Sequence, residues 1–252
     1  MPSLELYQEI IIIFSSFFAG FIDAVCGGGG LLIIPMLISF GLNEQLSIIT
    51  HKFQAMLAMS CSFLTVFKHI EFKKIFYGGI ASIIGGILGA NLLLITPSEP
   101  LKPIILLSLI FIFIYSIFNS KLGNIKTTSK INEKLFYPLF GLLIGFYDGF
   151  LGPATGSFWI FASISLLGSD VKQSSINAKA LCIFSGMSSL VVFVLSYEIY
   201  YSLGFKMAIF GILGAFCGAR FILKYKSDKI KKVFLTVVFF TLLKLAYEYF
   251  MN

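Results

Sequence analysis

The stretch GFIDAVCGGGGLLIIP, residues 20–35, sets four consecutive glycines and then a proline inside an apolar run that otherwise reads as a membrane helix. Glycine and proline are the poorest helix formers. In hydrocarbon an unpaired backbone N–H or C=O is costly, so irregular backbone is tolerated only where it is buried in protein or lines a cavity. The break at Gly27, Gly28, Gly29 and Gly30 is therefore expected to line something. Glycine lets the chain turn and lets a ligand approach the backbone. The short helix that follows aims unpaired N–H groups and its positive dipole end at the same point, which favours an anion.

Composition agrees with a membrane setting. Of 252 residues 58% are hydrophobic and 12% charged, against roughly 25% charged in a soluble domain. Apolar segments run at 7–26, 30–41, 45–67, 75–96, 101–118, 135–151, 156–167, 171–196, 203–224 and 230–250, and no polar stretch is long enough for a soluble domain. The expectation is an all-α polytopic protein, residues 1–252 forming one membrane domain. Segments 30–41 and 156–167 are too short to cross a core of about 30 Å, and each follows a glycine-rich break. The sequence leaves open whether they are re-entrant or continue a broken span. Glu5 and Glu9 precede the first segment where a signal peptide would carry basic residues, so the segment is read as retained. The net charge of +7 is spread over short loops and helix ends. That pattern indicates orientation signals and contact with the lipid bilayer, not nucleic acid. The four cysteines lack metal-type spacing and read as small buried residues.

The break has a counterpart. GFIDAVCGGGG (20–30) and GFYDGFLGPAT (145–155) share Gly20/Gly145, Phe21/Phe146, Asp23/Asp148 and Gly27/Gly152 at a constant offset of 125. Further along, Thr50-His51-Lys52 falls opposite Asn177-Ala178-Lys179, and GGILGA (85–90) opposite GAFCGA (214–219). The chain reads as a duplication, with repeats 1–118 and 135–252 joined by a cytoplasmic linker at 119–134. Lysines crowd that linker and the loops at 68–74 and 224–232, while 96–102 and 197–203 carry far less positive charge. By the positive-inside rule the repeats are inverted and both termini face the periplasm or exterior. Inverted repeats with matched helix breaks are the signature of a secondary transporter whose site lies near the midplane.

Charged and polar residues near the breaks are the candidates for binding. Lys52 and Lys179 occupy matching positions, where each either snorkels to an interface or attracts an anion; the repetition favours attraction. Asp23 and Asp148 precede the breaks and are expected to pair with a lysine or cap the loop N–H groups, proton coupling being the alternative. His51 is a candidate titrating group. Thr50, Thr155, Ser157 and Asn177 are placed to donate hydrogen bonds. GGILGA and GAFCGA read as close helix packing. With His51 and His69 as its two histidines and no H-E-x-x-H or G-x-S-x-G pattern, the chain does not read as an enzyme. A cation carrier using Asp23 and Asp148, another small-solute carrier, or a non-transporting scaffold subunit are the alternatives. No cofactor or metal is implied, and a homo-oligomer stays open.

GFIDAVCGGGGLLIIPMLISFGL (20–42), the Thr50-x-Lys52 step and GFYDGFLGPATGSF (145–158) resemble the TauE/SafE-type permeases, the sulfite exporter family, over nearly the whole chain. The resemblance implies duplicated halves and movement of small sulfur-containing anions such as sulfite, sulfoacetate or thiosulfate across the cytoplasmic membrane, mostly outward. By the same resemblance Gly27 to Gly30 and Pro35 match the first motif, and Gly152, Pro153 and Gly156 the second. The chain departs from the pattern at Ala154, where the family commonly has glycine, and at His51, where asparagine is usual.

Overall fold

The computed structural model describes residues 4–97, 100, 101, 103, 104, 128–226, 229, 230, 232 and 236. Among them every regular element is helical. Helix α1, Leu6–Cys26, starts at a capping box in which the Glu5 N–H donates to Gln8 Oε1 at 3.0 Å. It stops at Gly27, whose left-handed φ of 73° suits a residue without Cβ. Helix α2, Gly30–Ser39, holds Pro35, which lacks the N–H that would bond four residues back. Helix α3, Glu44–Val66, is capped by Asn43 Oδ1, which accepts from the Leu46 N–H at 2.7 Å. After a 3-10 turn at Phe67–His69 comes α4, Phe72–Ile95.

The order then recurs: α5 Glu133–Phe150, short α6 Thr155–Leu167, α7 Val171–Ser196 and α8 Tyr201–Lys224. Asp170 caps α7 by accepting from the Gln173 N–H at 2.9 Å, the same device as Asn43 on α3. The expected segments at 7–26 through 75–96 and 135–151 through 203–224 each coincide with a helix to within about three residues. Segment 101–118, segment 230–250, most of the linker and both extreme termini lie largely or wholly outside the described residues. By length and composition α1, α4, α7 and α8 are long and apolar enough to cross a membrane. Helices α3 and α5 are long but carry charged or polar residues inward, notably Lys52 and Asp148.

Among the described residues, packing interleaves two sets of four helices. Helix α4 lies along α5 and α8 along α1, so the last helix of each set packs on the first helix of the other. Glycines permit both contacts. A Cβ on Gly20 would strike the Gly211 carbonyl, one on Gly214 the Phe17 carbonyl, and one on Gly89 the Phe146 carbonyl. The small residues of GGILGA and GAFCGA therefore serve close packing, as their spacing predicts. Contacts advance together along each pair, Gly78 to Gly141 and Gly86 to Gly149 on one side, Glu9 to Lys206 and Phe21 to Gly218 on the other, so the paired helices run parallel. Helices α3 and α7 form the middle and run antiparallel: Gln45 near the start of α3 meets Tyr197 beyond the end of α7, and Glu71 beyond α3 meets Asn177 early in α7. Large apolar side chains, Phe14, Phe18, Leu88, Leu143, Val191 and Ile209 among them, cover the outside, as a lipid-facing surface requires.

Replacing Gly20 or Gly89 by leucine is expected to destabilise the fold by at least about 1–3 kcal/mol, because the new Cβ meets backbone that cannot rotate away. Thermal unfolding in detergent reads this, with exposed Leu88→Ala as the control expected to stay within about 0.5 kcal/mol.

Candidate functional site

The two glycine-rich breaks touch. A Cβ on Gly156 would stand 2.6 Å from Gly27 Cα, and one on Gly27 would overlap Gly156 in turn. One residue row away, a Cβ on Gly30 would stand 3.2 Å from Pro153 Cα and 2.9 Å from His51 Nε2. The first turns of α2 and α6 thus converge on one point, bringing two positive helix ends together. A cavity of about 30 Å³ lies there, room for little more than a water molecule. Its wall carries Asp23, His51, Lys52, Asp148 and Thr155 together with Gly27, Gly30, Gly152 and Gly156.

An ion pair crosses between the two sets of helices. Lys52 Nζ on α3 donates to Asp148 Oδ1 at 2.8 Å and to the Asp148 carbonyl at 2.7 Å, both side chains being about 95% buried. Thr155 Oγ1 donates to Asp148 Oδ1 at 2.8 Å, and Ser185 Oγ on α7 to Oδ2 at 2.6 Å. The carboxylate is thus held by an ammonium and two hydroxyls, which satisfies a charge taken out of water. Gly152, left-handed at φ 86°, brings the backbone to the lysine: a Cβ there would stand 2.9 Å from Lys52 Nζ. Asp23 behaves differently. Its Oδ1 accepts from the Gly29 N–H at 2.6 Å, capping the break that leads into α2.

Lys179 is 1% exposed, and its described partner is Ser175 Oγ at 3.4 Å. Ser175 Oγ in turn donates to the Val25 carbonyl at 2.7 Å, and Ser157 Oγ to the Cys26 carbonyl at 2.7 Å, so both satisfy the carbonyls that end α1. Thr50 is fully buried with no hydrogen-bond partner for Oγ1 among the described residues. Ala154 holds φ 61°, a left-handed value that costs a residue with a Cβ about 1–2 kcal/mol. The Pro153 carbonyl accepts from Tyr147 O–H at 2.8 Å. Gly28 is the least confined of the four glycines, its nearest neighbours being the Ile22 and Leu31 methyl groups at 3.3 and 3.5 Å.

Two of the candidates stand elsewhere. Asn177 belongs to a latch at one end of the bundle: it accepts from the Glu71 N–H and donates to Glu71 Oε2, both at 3.1 Å. Pro35 lies within α2, partly exposed. Ser185 did not stand out in the sequence. The signal was present in the spacing Ser175, Lys179, Cys182, Ser185, a polar and small-residue stripe along one face of an apolar helix.

Asp148→Ala leaves the Lys52 ammonium buried without a counter-ion and is expected to lose about 3–5 kcal/mol of stability. The double change Lys52→Met with Asp148→Leu should recover most of that loss, as thermal unfolding of the purified variants in detergent would show.

The comparisons with known proteins agree with this arrangement. The profile of the family described as Sulfite exporter TauE/SafE matches residues 12–245. A probable membrane transporter protein of Haemophilus influenzae is 33% identical over 239 residues, covering 92% of each chain. YfcA of Escherichia coli K12, also described as a probable membrane transporter protein, is 31% identical over 94% of this chain and 89% of its own length. One from Sinorhizobium, ORF9, is 30% identical over 94% of this chain and 92% of its own. No solved structure matches. The family and these relatives are membrane transporters rather than enzymes, and the chain belongs to the sulfite exporter TauE/SafE family.

Proposed function

We propose that the chain is a permease for small anions, sulfite or organosulfur and organic anions, working by alternating exposure of the site between the two breaks. The observation that carries this reading is the convergence of two helix N-termini with buried Lys52 on one cavity, and Lys179 buried close by. Backbone N–H groups and ammonium groups there complement negative charge. The Thr155 and Ser157 hydroxyls stand at the same place, given in this state to Asp148 and to the Cys26 carbonyl, and would have to turn to reach an anion. The cavity is too small for a sulfur oxyanion, so binding requires the two sets of helices to move apart. Asp148 has its oxygens occupied by Lys52, Thr155 and Ser185, which leaves a cation little to bind and weighs against a cation carrier.

The chain resides in the inner membrane with inverted repeats, exports its substrate, and keeps both termini outside. Support for the orientation comes from where the basic loops meet. Lys74 lies 3.9 Å from Glu133, Gln173 Nε2 donates to the His69 carbonyl at 3.1 Å, and Lys172 Nζ to the Leu223 carbonyl at 2.9 Å. The loops at 68–74, 128–134 and 224–226 thus share one end, where positive charge collects, and the positive-inside rule puts that end in the cytoplasm.

Proteoliposomes should take up radiolabelled sulfite, thiosulfate or sulfoacetate, and Gly27→Val, which fills the crossing point, should abolish uptake. Lys52→Gln and Lys179→Gln should each weaken it; unchanged flux and affinity in both would remove the lysines from the site. A reporter fused to the C-terminus should read exterior, and a cytoplasmic signal would overturn the orientation.

A further inference from the structure

The two repeats carry the same ionisable groups in matched places, and this structure uses them unequally. Lys52 of the first repeat is joined to Asp148 of the second. The matching pair, Lys179 of the second and Asp23 of the first, is not made: among the described residues Lys179 has no carboxylate within salt-bridge distance, and Asp23 is turned to the Gly29 N–H. The backbone differs at the same place. Matched Gly27 and Gly152 are both left-handed, at φ 73° and 86°. Matched Gly29 and Ala154 are opposite, at φ −62° and 61°. With residue 29 right-handed its N–H holds the carboxylate of its own repeat; with residue 154 left-handed the carboxylate is held by the other repeat's lysine.

Resting on the permease reading above, we propose that the two lysine–carboxylate pairs are made alternately, one in each facing state, and that the anion is held by the lysine left free. Here Lys52–Asp148 is closed and Lys179 is free; in the opposite-facing state Lys179–Asp23 closes and Lys52 is released. The backbone preferences of the two residues permit the exchange in both directions. Glycine at 29 takes the left-handed conformation without a Cβ clash, and alanine at 154 returns to the right-handed region that every L-residue favours. A buried ammonium without a counter-ion is costly. An anion that neutralises the free lysine therefore also removes the electrostatic demand on the carboxylate opposite, which can turn to its own loop. The protein's own charges are unchanged by the exchange, so the charge carried per exchange is that of the anion.

Asn accepts the same capping bond as Asp, so Asp23→Asn preserves the fold and the present state while removing the charge that Lys179 would meet. The proposal expects sulfite exchange in this variant to fall about thirtyfold or more, the scale for losing one partner of a buried charge pair. Adding Lys179→Gln should lower exchange further, because the anion then also loses the ammonium that holds it in this state. Wild-type exchange in Asp23→Asn would overturn it. A readout independent of flux is cross-linking, with a short bis-methanethiosulfonate reagent whose span replaces the lost lysine side chain, of monodisperse protein whose four native cysteines are replaced by alanine. Lys52→Cys with Asp148→Cys should be bridged, and so should Asp23→Cys with Lys179→Cys. A bridge at 52–148 with none at 23–179 would overturn the alternation. Wild-type protein that moves no anion while both bridges form would instead overturn the permease reading and leave the alternation standing.

Discussion

The rest of the structure depends on a backbone contact, Gly27 against Gly156, with no side chain between. Two chain breaks can meet at such range only if both residues lack a Cβ, and their meeting fixes where two short helices begin. Every unpaired N–H at those helix starts must be answered inside the protein, because hydrocarbon offers nothing. Asp23 answers one of them, while Ser157 and Ser175 answer the carbonyls at the end of α1. The polar residues of the centre are thus consequences of the break before they are anything else.

Charge follows from the same constraint. Two helix N-termini and two lysines make the centre strongly positive, and two aspartates offset it. Lys52, Asp148, Thr155 and Ser185 form a satisfied network, which gives one definite arrangement. Lys179 has a single long contact to a hydroxyl. A centre half satisfied and half open is suited to more than one state, whereas the glycine-lined contacts of α4 with α5 and of α1 with α8 are close-packed and hold each pair as a unit. The division between rigid outer pairs and an adjustable middle is what a permease needs from its scaffold.

Much of this is legible in the residues. The helices stand where apolar runs end at Asn43, Asn132, Gly168 and Asp170, because caps and left-handed glycines act locally. The matched breaks are visible because Gly20/Gly145, Asp23/Asp148 and Gly27/Gly152 stand at one constant offset. Asn177 shows the limit of such matching. It falls opposite Thr50 when the two glycine-rich stretches are aligned, yet it is bound to Glu71 at the end of the bundle, while Thr50 is buried without a partner for its hydroxyl among the described residues. Correspondence in sequence does not set which side chain finds a partner; the neighbouring helix does.

By itself the sequence determined the membrane setting, the order of long and short helices, the two breaks and the charges beside them, since each follows from the local properties of a few consecutive residues. Only the tertiary structure decided that the breaks touch, that Lys52 crosses to Asp148 while Lys179 stays apart from Asp23, and that Ser185 completes the network. Those are choices among partners far apart in the chain, made by which helix faces which, and no local pattern encodes them.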